Sequence, residues 1–217
     1  MANPGKKYEL TNETIIYDSR TLHRIRAIRS FGGIEKGDLG GYIENEANLS
    51  HDNKCWIFHN AKVYDNAEVF DDAQIIDNAL ISGDAKVFGK AWIGSTALVS
   101  GNAKIFDKAW VAGRASVFDD AKVFGNAKIT GNAKITGNAQ INSLDGYIVF
   151  KNWWSSGRSF TWTRSNNMWF VGCFYGTGKE LIAKAYKDSE KSGREYERVV
   201  KYVESILADE RKGNGND

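Results

Sequence analysis

The sequence is poor in proline, cysteine and histidine: its 217 residues include one proline, two cysteines and three histidines. With a single proline, almost every residue can donate its backbone N–H, as interior strands with neighbours on both sides require. Cys55 and Cys173 lie more than a hundred residues apart. Because Cys55 occupies a repeat position that is otherwise alanine, we expect buried thiols rather than a disulfide.

Long apolar runs and a charge excess are absent as well. No segment approaches the ~18 apolar residues of a membrane span, and residues 1–10 lack the apolar run of a signal peptide. We therefore expect a cytoplasmic protein without a membrane partner. Lysine and arginine number 29 against 27 acidic residues, a net charge of +2. This balance argues against a nucleic-acid partner without excluding one.

A six-residue repeat dominates the middle of the chain. A small residue recurs at every sixth position from Cys55 to Ala139, and fourteen of these fifteen residues are alanine. The residue two places after each is isoleucine or valine without exception. Because strand side chains alternate, both residues point to one side of a short strand. Pairs such as Gly101-Asn102 follow and tolerate positive φ, so each unit predicts a strand and a corner.

The spacing of an aliphatic residue and a small residue four places later, as in Ile129 to Ala133, resembles the hexapeptide-repeat family. The resemblance covers about half the chain and implies a mainly β fold, a left-handed parallel β-helix with three strands per coil of about eighteen residues. Fifteen units make five coils. Residues 41–43 and 47–49 look like two earlier units, offset by a two-residue insertion near His51, so we expect five to six coils starting near Gly41.

The flanks of the repeat read as caps, which an open stack of strands needs. We expect four segments: an N-terminal β cap (1–40), the β-helix (41–143), a C-terminal β-meander with helices (144–212) and a disordered tail (213–217). Predicted strands in the flanks cover 8–10, 15–17, 22–28, 147–150, 159–163 and 168–173. Two capping boxes predict helix starts, one at Thr177 with Glu180 and one at Ser192 with Glu195.

Outward residues fall into three columns when the coil has eighteen residues. The first column holds Trp56, Gln74, Trp92, Trp110 and Lys128, and the second holds Lys62, Leu80, Leu98, Ser116 and Lys134. The third sets Phe70, Phe88, Phe106 and Phe124 beside Glu68, Lys86, Lys104 and Lys122. Soluble monomers rarely leave an apolar strip of this size in water. Since the resemblance implies trimers of parallel prisms, we expect a homotrimer.

The favoured prediction for function is a non-catalytic binding or structural protein without a cofactor. The segments 22–27, 37–44 and 171–177 resemble a group of bacterial and phage hexapeptide-repeat proteins, some of which are labelled transferases. A phage-borne protein of this kind is expected to bind a host protein or a nucleotide, since lysines beside aromatic rings suit nucleotides. The candidate binding and interface residues are Trp92, Trp110, Phe70, Phe88, Phe106, Phe124, Lys86, Lys104, Lys122, Arg24 and Arg26.

The alternative prediction is an acyl-CoA-dependent O- or N-acyltransferase that uses acetyl-CoA. Such enzymes of the family use a histidine as general base, and His59, at a corner of the first full coil, is the best-placed candidate. The competing interpretation of His59 is a solvated corner residue, and the coils show no excursion loop of the kind that usually walls such a site. A zinc site is rejected because His51 and His59 are eight residues apart, short of one coil. A phosphate loop at 172–179 fails on its glycine spacing.

Overall fold

The computed structural model describes residues 5–213, which form two compact units. The first contains the residues up to Tyr147 together with Arg164–Asn166, and the second contains Ile148–Thr163 and the residues from Asn167 on. The first unit is a front cap followed by a parallel β-solenoid, and the second is an antiparallel sheet with two helices. In the described part of the chain, no helix is both long and apolar enough to cross a membrane.

The front cap is a hairpin joined to the first coil. Strands β1 (Tyr8–Tyr17) and β2 (Arg20–Ala27) are antiparallel, and β3 (Leu39–Ile43) pairs with β2 before a short 3-10 turn, η1 (Glu46–Asn48). The strands predicted at 8–10 and 15–17 therefore join into one strand. The pairing shifts between Leu10 and Thr14, and such an irregularity lets a long strand bend without losing its partner.

Fifteen two-residue strands follow in the described chain at six-residue intervals. They are β4 (Trp56–Ile57), β5 (Lys62–Val63), β6 (Glu68–Val69), β7 (Gln74–Ile75), β8 (Leu80–Ile81), β9 (Lys86–Val87), β10 (Trp92–Ile93), β11 (Leu98–Val99), β12 (Lys104–Ile105), β13 (Trp110–Val111), β14 (Ser116–Val117), β15 (Lys122–Val123), β16 (Lys128–Ile129), β17 (Lys134–Ile135) and β18 (Gln140–Ile141). The predicted alternation of strand and corner is confirmed.

The strands stack into three parallel walls of about six turns. We name them after their outward residues: the leucine wall (β3, β5, β8, β11, β14, β17), the tryptophan wall (β4, β7, β10, β13, β16) and the lysine wall (β6, β9, β12, β15, β18). Partners are eighteen residues apart, as in Trp92 opposite Trp110 and Lys104 opposite Lys122. The predicted parallel β-helix is therefore confirmed.

The core of the solenoid consists of the repeating alanine and aliphatic residues. Ile105 and Val123 are fully buried, as are the alanines two positions before them, at 103 and 121. Cys55 takes an alanine position and is buried, whereas Cys173 is exposed, and both are free thiols. The expected burial is therefore correct for Cys55 and wrong for Cys173, which lies in a turn.

The two-residue insertion predicted near His51 is visible in the strand register. Leu49 forms a parallel bridge with Val69, a separation of twenty residues, whereas later partners are eighteen apart. The additional residues are accommodated in the turn after Ser50, where Asn53 has a φ of 51°. The first turn of the solenoid therefore carries a loop that later turns lack, next to the front cap.

Corners of the solenoid use aspartate in a left-handed conformation. Asp71 and Asp107 have φ of 57° and 59°, and each carboxylate accepts the backbone N–H of the corner residue one coil later, Gly89 or Gly125, at 3.1 Å. Aspartate visits this region more readily than most residues because its short side chain bonds to nearby backbone. The carboxylate satisfies a corner N–H that no strand carbonyl reaches.

The second unit contains four antiparallel strands and two helices. The strands are β19 (Tyr147–Lys151), β20 (Ser159–Thr163), β21 (Met168–Val171) and β22 (Phe174–Gly176), and the helices are α1 (Gly178–Asp188) and α2 (Glu190–Gly213). The strand predicted at 168–173 is wrong in extent, because Gly172 has a φ of 62° and turns the chain after β21. The core of the second unit includes Trp162 and Trp169, both fully buried.

The first predicted capping box is confirmed and the second is wrong. Thr177 accepts the N–H of Glu180, and the Glu180 carboxylate accepts the N–H of Thr177 at 2.8 Å. Helix α2 already begins at Glu190, and the Ser189 hydroxyl accepts the N–H of Ser192 at 3.1 Å. Of the predicted tail, Gly213 ends α2 and residues 214–217 lie outside the described residues.

Candidate functional site

The four phenylalanines on the lysine wall form one continuous stack. Phe70, Phe88, Phe106 and Phe124 have ring centroids 4.8–5.0 Å apart and interplanar angles of 4°. We call this stack the phenylalanine ladder. Its spacing equals the distance between neighbouring strands, so the backbone sets it. Each ring is half-buried: the two inner rings, Phe88 and Phe106, are covered on both faces, and the end rings, Phe70 and Phe124, have a ladder ring on one face.

Two tryptophans form the apolar centre of the tryptophan wall. The rings of Trp92 and Trp110 are 4.6 Å apart and tilted by 60°. A Cβ at Gly94 would lie 2.4 Å from the Trp92 ring, so glycine leaves the space in which that indole lies against the wall. Trp110 is 41% exposed, and Lys128 Nζ lies 5.7 Å from its ring centroid. Trp110 is therefore more exposed than any single ring of the ladder.

The lysine wall changes charge along its length. Its first outward residue, Glu68, pairs with Lys86 Nζ at 2.9 Å. Further along, Lys104 and Lys122 are adjacent and exposed, and neither makes an ion pair with another described residue. Because both lie beside the phenylalanine ladder, this part of the wall offers positive charge next to ring edges.

The predicted arginines of the front cap are already engaged in ion pairs. Arg24 bonds to Glu13 at 3.2 Å and to the Tyr42 hydroxyl at 2.9 Å, while its guanidinium carbon lies 5.1 Å from the Tyr42 ring centroid. Arg26 bonds to Glu9 through Nε at 2.9 Å. These arginines connect β2 to β1 and β3 within the front cap. Because the carboxylates of Glu13 and Glu9 neutralise their charge, they attract an anionic ligand less strongly.

His59 occupies a solenoid corner in the way that aspartates do elsewhere. Its φ is 54°, its side chain is 62% exposed, and its Nδ1 accepts the backbone N–H of Asp77 at 3.3 Å. A neutral imidazole that accepts through Nδ1 carries its proton on Nε2. His59 therefore has the same structural role as the corner aspartates: it accepts the backbone N–H of the corner residue one coil later.

A buried lysine, Lys7, lies where the front cap meets the first coil. Its Nζ donates to the Asp52 carbonyl at 3.0 Å and to Cys55 Sγ at 3.2 Å. Burial lowers the pKa of Lys7 and raises the pKa of the Cys55 thiol. At this end of the solenoid, the Lys7 ammonium supplies the hydrogen-bond donors for backbone carbonyls of the first loop, which have no strand of a preceding coil as a partner.

His51 lies next to this lysine and lines a surface cleft. Its ring stacks on Tyr8 at 4.2 Å, its Nδ1 accepts the backbone N–H of Lys7 at 3.3 Å, and its Nε2 is buried without a hydrogen-bond partner among the described residues. Burial lowers the pKa of His51, although Glu46, whose Oε2 lies 3.9 Å from Nε2, acts in the opposite direction. This imidazole is therefore held neutral near pH 7.

Sequence reasoning did not find this cluster of Lys7, Tyr8, His51 and Cys55. The repeat pattern indicated Cys55 and the insertion, but Lys7 lies in the cap, outside the repeat, and the sequence gives no sign of its burial.

Among the described residues there is also no group of three His, Cys, Asp or Glu side chains that could hold a metal ion. Neither a protein-family model nor a curated protein sequence matches the chain.

Proposed function

We propose that the protein is a non-catalytic binding or structural protein, a homotrimer of left-handed β-helices of the hexapeptide-repeat class. The observation that supports the trimer is the Trp92 and Trp110 pair, which contains Trp110, the most exposed aromatic side chain on the three described walls. Covering aromatic surface of this kind is a main source of association energy. The tryptophan wall is therefore the proposed subunit interface.

The trimer is tested by light scattering coupled to size exclusion. The wild type is expected at three times the chain mass at micromolar concentration, and a Trp92→Ser/Trp110→Ser variant is expected at the mass of one chain. A matched control is Phe106→Leu on the lysine wall, which should leave the mass unchanged. A monomeric wild type, or a trimer that survives loss of both indoles, would refute the proposed interface.

The lysine wall is the proposed binding surface for a nucleotide or an acidic patch of a host protein. Lys104 and Lys122 are opposite each other on adjacent strands and supply charge without a described ion-pair partner. Phe106, two residues after Lys104, stacks between Phe88 and Phe124 in the ladder. Anionic aromatic ligands use this combination of cation and ring. A cytoplasmic location goes with this proposal, since nucleotides and host proteins are available there.

ATP is the probe for this surface, measured by the thermal shift of the full chain. Binding to the folded state raises the melting temperature, and the effect should fall with added salt. Lys104→Ala/Lys122→Ala is expected to abolish the shift, whereas Lys184→Ala/Lys187→Ala, on helix α1, should keep it. An unchanged shift in the first variant would contradict the assignment.

The acyltransferase alternative rests on His59 alone, and its geometry supports the role poorly. The side chain is 62% exposed at a corner, and when Nδ1 accepts the Asp77 N–H the proton lies on Nε2, the outer nitrogen that a general base needs free; only the tautomer that donates Nδ1–H to Asp77 Oδ1, also 3.3 Å away, frees it. If acetyl-CoA nevertheless raises the melting temperature, and His59→Ala removes that shift while Lys104→Ala/Lys122→Ala does not, the transferase interpretation replaces the binding protein.

A further inference from the structure

The phenylalanine ladder ends at Phe70, and the strand register shows what occupies the preceding position. Leu49 is the bridge partner of Val69, and Ser50 N donates to the Val69 carbonyl at 2.9 Å, so Ser50 precedes Phe70 in the stack. Serine has no ring. Among the described residues, Phe88 is the ring stacked on Phe70, and it covers one face only. The second face of Phe70 therefore has no stacked ring.

A cleft of about 380 Å³ lies at this vacant position. Its volume falls in the range of small-molecule sites, about 300–1,000 Å³. The two-residue insertion opens it, since the coil that contains Ser50 departs from the eighteen-residue register of the later coils. The residues of the cleft that matter for recognition are Glu46, Ser50, His51, Glu68 and Phe70.

The polar groups of the cleft are mainly hydrogen-bond acceptors. Glu46 and Glu68 have side chains 44% and 46% exposed, and each is paired with a lysine, Lys6 or Lys86. Exposed ion pairs of this kind contribute little to stability, so a better-placed cation can displace the lysine. No lysine or arginine lines the cleft itself. An anionic ligand would meet two carboxylates, whereas a cation with N–H donors would be complementary.

We propose that this cleft binds a planar aromatic cation such as an arylamidine. Its ring stacks on the open face of Phe70 and adds a rung to the phenylalanine ladder, and its N–H groups donate to Glu46 and Glu68. The ladder spacing of 4.8–5.0 Å accommodates a flat ring at the position of Ser50. The site lies within one chain, at the first strand of the lysine wall, so it does not need the proposed trimer, and its ligand carries the opposite charge to the proposed nucleotide.

Benzamidine is the probe, titrated into the full chain by isothermal calorimetry. Two matched compounds separate the contributions: benzoate keeps the ring and reverses the charge, and cyclohexanecarboxamidine keeps the charge and removes the aromatic ring. We expect saturable benzamidine binding, no benzoate binding, and several-fold weaker binding of the cyclohexane compound, because it keeps the amidinium but cannot stack a ring on Phe70. Equal binding of benzoate, or no saturation at millimolar benzamidine, would refute the site.

Substitutions at the two ends of the ladder locate the binding. Phe70→Leu should weaken benzamidine binding at least about fivefold, in line with the roughly 1 kcal/mol assigned to such aromatic contacts. The control Phe124→Leu removes the ring at the far end and should leave the affinity unchanged. Equal losses in both variants would place the ligand elsewhere on the wall.

Ser50→Phe fills the vacant position with the protein's own ring. It should abolish benzamidine binding without lowering the melting temperature, because a fifth ring extends the ladder. If that variant does not fold, Glu46→Gln/Glu68→Gln serves instead, since it keeps the side-chain shape and removes the charge that attracts the amidinium. Undiminished binding in the double variant, or in a folded Ser50→Phe protein, would overturn the proposal.

Discussion

Single residues at the corners determine how the solenoid turns. Aspartate serves there because it tolerates positive φ and brings its own acceptor for the corner N–H of the next coil, as Asp107 does for Gly125. Glycine serves at other corners, such as Gly101 with a φ of 64°. The two residue types solve the same conformational problem, but only aspartate adds a hydrogen bond between coils.

Substitutions at Asp107 should separate these two contributions. Asp107→Ala keeps a Cβ at positive φ and loses the acceptor, so it should destabilise the solenoid by about 1–2 kcal/mol. Asp107→Gly loses the bond but relieves the backbone strain, so its effect should be smaller. Urea unfolding followed by circular dichroism measures both. A glycine variant less stable than the alanine variant would show that strain is not the dominant cost.

His51 should make the stability of the protein depend on pH below neutrality. Burial lowers its pKa below the ordinary value of 6.5, so the unfolded chain takes up a proton before the folded chain does. Stability is therefore retained above pH 6.5 and lost as the pH falls toward the lower folded-state pKa. His51→Asn keeps an acceptor for the Lys7 N–H without titrating.

The measurement compares melting temperatures of wild type and His51→Asn at pH 7.5 and pH 5. Glu46 also interacts with His51, but its bond to Lys6 holds the pKa of Glu46 below the ordinary 4.5, so Glu46 is ionised at both pH values and the difference reports mainly on His51. The wild type should lose more stability on acidification than the variant. Parallel losses would mean that His51 does not contribute.

At the level of elements, the C-terminal helices depend on their caps. Thr177→Ala removes the acceptor for the Glu180 N–H and should cost about 1 kcal/mol, which corresponds to roughly fivefold faster hydrogen exchange in α1. Thr177→Ser keeps the hydroxyl and serves as the control. If α1 amides exchange at the wild-type rate in the alanine variant, packing rather than the cap holds the helix start.

Elements with a repeating pattern can be predicted from the sequence. Features that depend on a single residue or a single distant contact cannot. The stacking of Phe88 and Phe106 in one column can be predicted from their separation of eighteen residues, because one coil of eighteen residues returns the chain to the same wall. The apolar pattern continues past the end of β21 to Cys173, because the strand is ended by the backbone of one residue, Gly172 at positive φ, and not by a change in side-chain polarity. The burial of Lys7 depends on carbonyls of a distant loop, at Asp52 and Asn53, which no local pattern reports.

For the whole molecule, the coil and not the six-residue unit is the step that preserves the outer surface. Deleting residues 103–120 removes one coil and places Phe124 on Phe88, so every wall keeps its columns. Deleting residues 103–108 preserves the inward alternation but moves every later residue to the next wall. The coil deletion should keep cooperative melting, whereas the six-residue deletion should lower solubility and melting temperature. Equal behaviour of the two would show that the outer columns carry no energetic weight.

The tryptophan pair also makes the tryptophan wall visible to spectroscopy. Two indoles 4.6 Å apart and tilted by 60° couple electronically, so their transitions split into a pair of circular dichroism bands of opposite sign. Replacing either Trp92 or Trp110 removes this pair's contribution, while the contribution of Trp153 and Trp154, whose rings are 5.9 Å apart, stays in both spectra and cancels in the difference. The solenoid thus contains an optical signal that reports the spacing of its own coils, without any added dye.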